Sequence, residues 1–176
     1  MARNRRGQIL DIAAGLFVVT GFKGTSLQDI ADGVGCSKAS LLYHFASKDQ
    51  ILTELLTPAA GELGVLNARL SGLDDREAVH AAVEGFVDLV LRFRREVKIL
   101  YDDIEQMLRH PALGDVQETI ERLIEALAGR SPDPAARVAA LLVLGGIPVA
   151  CAKQAEMPDE ELRAVLVRSA LRTLDH

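Results

Sequence analysis

Tryptophan is absent from this chain of 176 residues, and aromatic side chains make up only 4% of it. A pocket built from such a sequence is aliphatic, suited to a greasy or small ligand rather than a stacked aromatic one. Cysteine occurs twice, at Cys36 and Cys151, far apart and without metal-ligand spacing. That excludes a disulfide framework. The four histidines, His44, His80, His110 and His176, form no H-x-x-x-H pair, so neither a metal nor a cofactor is expected. A Gly-rich phosphate loop, a nucleophile elbow and a Ser/His/Asp order are missing as well, which argues against an enzyme.

Long hydrophobic runs are also scarce. The longest, Val138 to Ala152, lies between Arg137 and Lys153 and falls short of the roughly 18–20 residues that a bilayer span needs. No apolar stretch follows the charges of M-A-R-N-R-R-G to serve as a secretory signal. The expected location is the cytosol. Strand-like alternation of useful length is absent, the six prolines sit mostly where helices would end, and 49% of the residues are hydrophobic. The fold class that remains is all-α, with about nine helices.

What the sequence does contain begins with the stretch Thr25 to Phe45. Leu27, Ile30, Ala31 and Val34 fall on one helical stripe. Thr25 stands three residues before Gln28, the spacing of a capping box, and Gly35 supplies a helix stop. Ser37 can cap a second helix through Tyr43. Two capped helices around a tight Gly-containing turn make a helix-turn-helix, whose second helix can enter a major groove. An ordinary αα-hairpin has the same outline. The second helix favours DNA, because Lys38, Ser40, Tyr43 and His44 are all cationic or hydrogen-bonding.

Charge points the same way. The net charge is −5, yet residues 1–50 hold six basic and four acidic groups, leaving −7 on the remainder. A basic head on an acidic body orients the molecule toward DNA by one end.

The stretch G-F-K-G-T-S-L-Q-D-I-A-D-G-V-G-C-S-K-A-S-L-L-Y-H-F-A-S-K-D-Q-I-L, Gly21 to Leu52, resembles the DNA-binding region of the tetracycline-repressor (TetR) family of bacterial regulators. Two departures stand out: Leu42 replaces a usual aromatic that contacts the DNA backbone, and Ala39 replaces a frequent Gly. The resemblance implies a three-helix DNA-binding domain over residues 1–46 and a helical effector-binding and dimerisation domain over 47–176. It implies that Lys38, Ala39, Ser40 and Tyr43 face the DNA, that Thr25, Tyr43, His44 and Lys48 hold phosphates, and that Ser26 and Ser37 belong to the same DNA-binding set. Cys36 reads as a packed small side chain rather than a thiol switch.

The first helix is expected from Arg3 or Arg5 to Thr20, ended by Gly21, with Arg5 and Arg6 either reaching a phosphate or fraying in solvent. A fourth helix starts at Ser47, and Pro58 is expected to kink or break it. Arg92, Arg94 and Arg95 read as favourable charges at a helix C-terminus. Candidate pocket residues are Phe86, Val90, Phe93, Leu100, Tyr101, Ile104 and Met107, with Asp103 placed to meet a cationic ligand. The last two helices are apolar over wide arcs, with Pro148 expected to kink the first of the pair. A two-fold interface is expected from Val138, Leu141, Leu142 and Gly145 on one and Leu162, Val165, Leu166 and Ala170 on the other.

The function expected is a homodimeric regulator, most often a repressor, released from a palindromic operator by a small molecule that changes the separation of the two heads. Two other readings are a DNA-binding protein without effector and an all-α interaction module that no longer reads DNA.

Overall fold

The computed structural model describes residues 5–101, 114–154 and 156–174, and among these every regular element is an α-helix. In chain order they are α1 (Arg5–Gly24), α2 (Leu27–Val34), α3 (Lys38–His44), α4 (Lys48–Leu70), α5 (Asp75–Arg92), α6 (Arg94–Tyr101), α7 (Gly114–Leu127), α8 (Pro134–Lys153) and α9 (Asp159–Leu174). The chain forms two compact units. One runs to Pro58 and takes in the segment from Arg95; the other holds Ala59–Arg94 and the chain from Asp115 onward.

In the first unit, α1 packs on α2, and α2 on α3. Ile9, Ala13, Ala14 and Phe17 of α1, Ile30 and Ala31 of α2, Leu41 of α3, and Phe45, Ile51 and Leu52 are all fully buried. α1 and α2 approach closely enough that a Cβ at Gly33 would meet Ile12 Cγ2 at 2.8 Å. α6 is tied to α1: the Arg95 guanidinium donates to the Asp11 carbonyl, and Lys98 Nζ to the Val18 carbonyl at 3.4 Å.

In the second unit α5, α8 and α9 pack against one another. Ala82, Val83, Phe86 and Val87 of α5 meet a core shared with Leu162, Leu166, Ala170 and Leu174 of α9. Arg163 grips Asp88 through Nε at 2.5 Å and a terminal nitrogen at 2.9 Å. Arg130 ties the turn after α7 to the start of α5, with bonds to the Leu70 and Leu73 carbonyls and to the Asp75 carboxylate at 2.6 Å.

Several expectations give way here. α4 is neither stopped nor interrupted at Pro58, and α8 runs through Pro148. Each proline removes one backbone donor without ending its helix. The arginines near the end of α5 act through partners on other elements rather than through the helix end alone. Arg92 pairs with Glu62 at 2.5 Å, Arg94 with Asp159 at 2.6 Å, and Arg95 with α1. α8 is also longer than its uninterrupted apolar run. At 20 residues with a mean hydropathy of 1.9 it is long and apolar enough to cross a membrane, but Ala136, Ala140, Val143, Ile147 and Cys151 on one side of it are buried in the second unit.

Candidate nucleic-acid interface

The head is positioned by backbone chemistry at its two glycine turns. Gly21 takes φ 76° and ψ 161°, a conformation open almost only to glycine, and breaks α1 where expected. The chain then turns so that Thr25 points inward. Only 2% of Thr25 is exposed, and its hydroxyl donates to the Gly21 carbonyl at 2.9 Å. The Thr25 hydroxyl, expected at a phosphate, is thus used inside the head, and Thr25 is not the cap of α2. That role falls one residue later. Ser26 Oγ accepts from Asp29 N–H at 3.1 Å, and the Asp29 carboxylate accepts from Ser26 N–H at 2.7 Å. These bonds hold the Asp29 carboxyl below the usual carboxylate range. Asp29, not Gln28, completes the box; Gln28 reaches along the helix to Asp32.

Gly35 ends α2 at φ 72°, and Ser37 Oγ then accepts from Ser40 N–H at 3.1 Å, capping α3 as expected. With Leu41 fully buried as its root, α3 turns its opposite side outward. Lys38, Ala39 and Leu42 are exposed, Tyr43 is 87% exposed, and Ser40 and His44 are half-buried. The Tyr43 and His44 rings meet edge to face at 5.4 Å. Ser26 and Ser37 are exposed on the same unit. Cys36, in the turn, is half-buried.

Two cations expected near phosphate are used inside the head. Lys48 Nζ donates to the carbonyls of Phe22 and, at 2.7 Å, Thr25, and sits 4.3 Å from the centre of the Phe22 ring. Burial pushes its pKa down, against smaller opposing effects of Asp49 and Asp29. A lysine in the first turn of α4, against the helix dipole, is thus explained by two carbonyls of the preceding turn. Arg6 is neither frayed nor directed at solvent. It bonds the Glu54 carboxylate through two nitrogens, gives a third to the His44 carbonyl at 2.6 Å, and lies 4.2 Å over the Phe45 ring. Glu54 raises its pKa further. Sequence spacing carries no sign of that pairing, since the partners are 48 positions apart.

The other expected sites divide as follows. Phe86, Val90 and Phe93 belong to the second unit and Leu100 and Tyr101 to the first; Asp103, Ile104 and Met107 lie outside the described residues. Phe86 and Val90 are core residues. Burial raises the Tyr101 hydroxyl to about 12. On α8, Val138, Leu141 and Leu142 are 56%, 45% and 64% exposed, and Gly145 lies on the same stripe. On α9, Val165 is half-buried, whereas Leu162, Leu166 and Ala170, also expected at the interface, are buried inside the subunit. Val149, 55% exposed, extends the α8 stripe beyond the residues expected.

A family model described as bacterial regulatory proteins, tetR family, matches residues 9–55, the stretch from the α1 core to the first turns of α4. The transcriptional repressor KstR2 of Mycobacterium tuberculosis is 30% identical over 120 residues, 65% of this chain and 58% of the relative. The transcriptional activator FasR of Mycolicibacterium smegmatis is 33% identical over 101 residues, 56% of this chain and 46% of the relative. The matched part of the chain thus spans about half the length of these curated relatives. A solved TetR-like transcriptional regulator from Rhodococcus sp. RHA1 superposes with a TM-score of 0.68 at 27% identity, covering 97% of this chain and 95% of that one. A helix-turn-helix with these caps and an outward-facing α3 thus stands where the tetR-family model matches, over residues 9–55, and the fold of the chain is similar to that of a TetR-like regulator.

Proposed function

We propose that the protein is a homodimeric transcriptional repressor that places α3 of each subunit in the major groove of one half of a palindromic operator. The observation that carries this reading is the outward side of α3, where Lys38, Ala39 and Tyr43 project from a helix whose root, Leu41, is fully buried. Such a helix can be pressed against a groove without rearranging, so little ordering cost is charged to binding. Lys38 and Tyr43 supply phosphate or base-edge contacts, and Ala39 permits close approach. Thr25 and Lys48 serve the head's own architecture. KstR2 is named a repressor and FasR an activator; the repressor sign follows KstR2.

Two-fold pairing is supported by the α8 stripe. Val138, Leu142, Gly145 and Val149 follow helical spacing, and a glycine at its centre lets two such helices approach closely. An effector that binds the DNA-incompetent conformation better would release the operator by population shift.

Selection of the purified protein on a random duplex library, repeated over a range of salt, tests the reading. A palindromic site with a steep salt dependence is the expected result. Weak, sequence-independent binding would overturn it. A reporter placed behind the selected site then gives the sign, with higher expression in its presence ruling out repression.

A further inference from the structure

We propose that Leu42 reads the 5-methyl group of a thymine in the operator half-site, with Ala39 beside it, so that the protein's sequence preference includes a methyl contact as well as hydrogen bonds. The inference deepens the DNA-binding reading above and rests on it.

At about 100° per residue along a helix, the side of α3 opposite Leu41 is occupied by Ala39 and Tyr43, with Leu42 on the flank it shares with Lys38. Leu42 therefore neighbours Lys38 four positions earlier and Ala39 three positions earlier. The three are exposed together, Leu42 at 41%. Beside the buried Leu41 and Phe45, Leu42 is the large aliphatic side chain that α3 leaves in solvent.

The aromatic that Leu42 replaces in the resemblance contacts the DNA backbone, but a leucine can donate neither to a phosphate nor to a base edge, so that contact is not kept. Pressed against a carbonyl or amino group of a base, it would strip that group of water and give nothing back. The apolar group that a major groove offers is the thymine methyl. Ala39, the smallest side chain on the outward side, lets the backbone come near enough for Leu42 to reach the groove floor. Lys38 on the same flank can fix the register through a phosphate or a guanine edge. The unit thus presents a cation, a small residue and an aliphatic group in a fixed order, which is a recognition surface for a base step with a methyl beside an acceptor.

The test uses the full-length protein and the site recovered by selection from unmethylated DNA. Each thymine in the half-sites is replaced in turn by deoxyuridine, which removes only the methyl and keeps every hydrogen-bonding atom. One thymine per half-site is expected at which the replacement weakens binding about fourfold, the value of one buried methyl. In Leu42→Ala that position should become indifferent to methyl removal, while Leu42→Met should keep the discrimination. Circular dichroism on both variants verifies that the head is folded. Indifference of the wild-type protein to every replacement would overturn the proposal and leave the DNA reading intact. So would an undiminished methyl effect in Leu42→Ala. Absence of any selected site would remove the DNA reading and this proposal together.

Discussion

Arg6 on α1 holds the carboxylate of Glu54 on α4 with two nitrogens and the carbonyl of His44, at the end of α3, with a third at 2.6 Å. One guanidinium therefore joins three of the helices that make the head. A lysine presents a point charge on a single nitrogen and cannot reproduce the fork. Arg6→Lys should lower the Tm nearly as much as Arg6→Ala, although it keeps the charge. Because the charge is kept, the salt dependence of DNA binding should be unchanged in Arg6→Lys. A lysine variant as stable as wild type would show that the fork contributes nothing beyond its charge.

Lys38 and Lys48 should separate cleanly. Lys38 is exposed on α3, whereas Lys48 donates to the Phe22 and Thr25 carbonyls. Lys38→Ala should flatten the slope of log affinity against log salt by about one unit and leave the Tm alone. Lys48→Ala should cost about 1–2 kcal/mol of stability, the scale of lost charge-assisted hydrogen bonds at a partly buried site, and leave the slope near its wild-type value. Chemical denaturation and binding titrations at several salt concentrations read both quantities. A flattened slope in Lys48→Ala would return that residue to the phosphate contacts.

The two glycine turns of the head differ in severity. Gly35 is in the ordinary left-handed region at φ 72° and ψ 42°, which asparagine tolerates, while Gly21 at φ 76° and ψ 161° is in a region nearly closed to side chains. No atom lies within 4 Å of a Cβ built at either position, so the cost is one of backbone conformation alone. Gly35→Asn should cost below about 1 kcal/mol and Gly21→Asn about 1–3 kcal/mol. Equal losses in urea denaturation would contradict this difference.

Leu142 and Leu162 test the two-fold interface. Leu142 is 64% exposed on α8, and Leu162 is 1% exposed in the subunit core. Leu142→Glu should keep the fold, convert the dimer to monomer in sedimentation, and cut affinity for a palindrome far more than for a half-site. Leu162→Glu should destabilise the subunit itself by several kcal/mol, because it buries a charge without a partner (~3–5 kcal/mol). A Leu142→Glu protein that remains dimeric would move the interface off this stripe.

Much of this protein was determined by local sequence. The apolar stripe of α2, the stop at Gly21, the αL cap at Gly35 and the Ser37 cap of α3 follow from spacing and from what each residue's backbone permits, and they require no knowledge of distant neighbours. The exposed side of α3 was readable in part: Lys38 and Tyr43 are exposed as expected, while Ser40 and His44, also expected outside, are half-buried. Tertiary structure decided the rest. Thr25 and Ser26 both have a hydroxyl able to cap, and only the turn at Gly21 decides which one faces inward. Lys48 and Arg6 are cations near the DNA-binding motif; their partners are a distant carboxylate and carbonyls presented by another helix, and such pairings leave no trace in local periodicity. A kink or break is expected at Pro58 and a kink at Pro148, because a proline's local cost is readable in the sequence; the helices run through both positions. Tertiary packing also separates Leu142 from Leu162. Both lie on apolar helical stripes, but only the packing of α9 on α5 and α8 determines that Leu162 is buried in the subunit while Leu142 stays exposed.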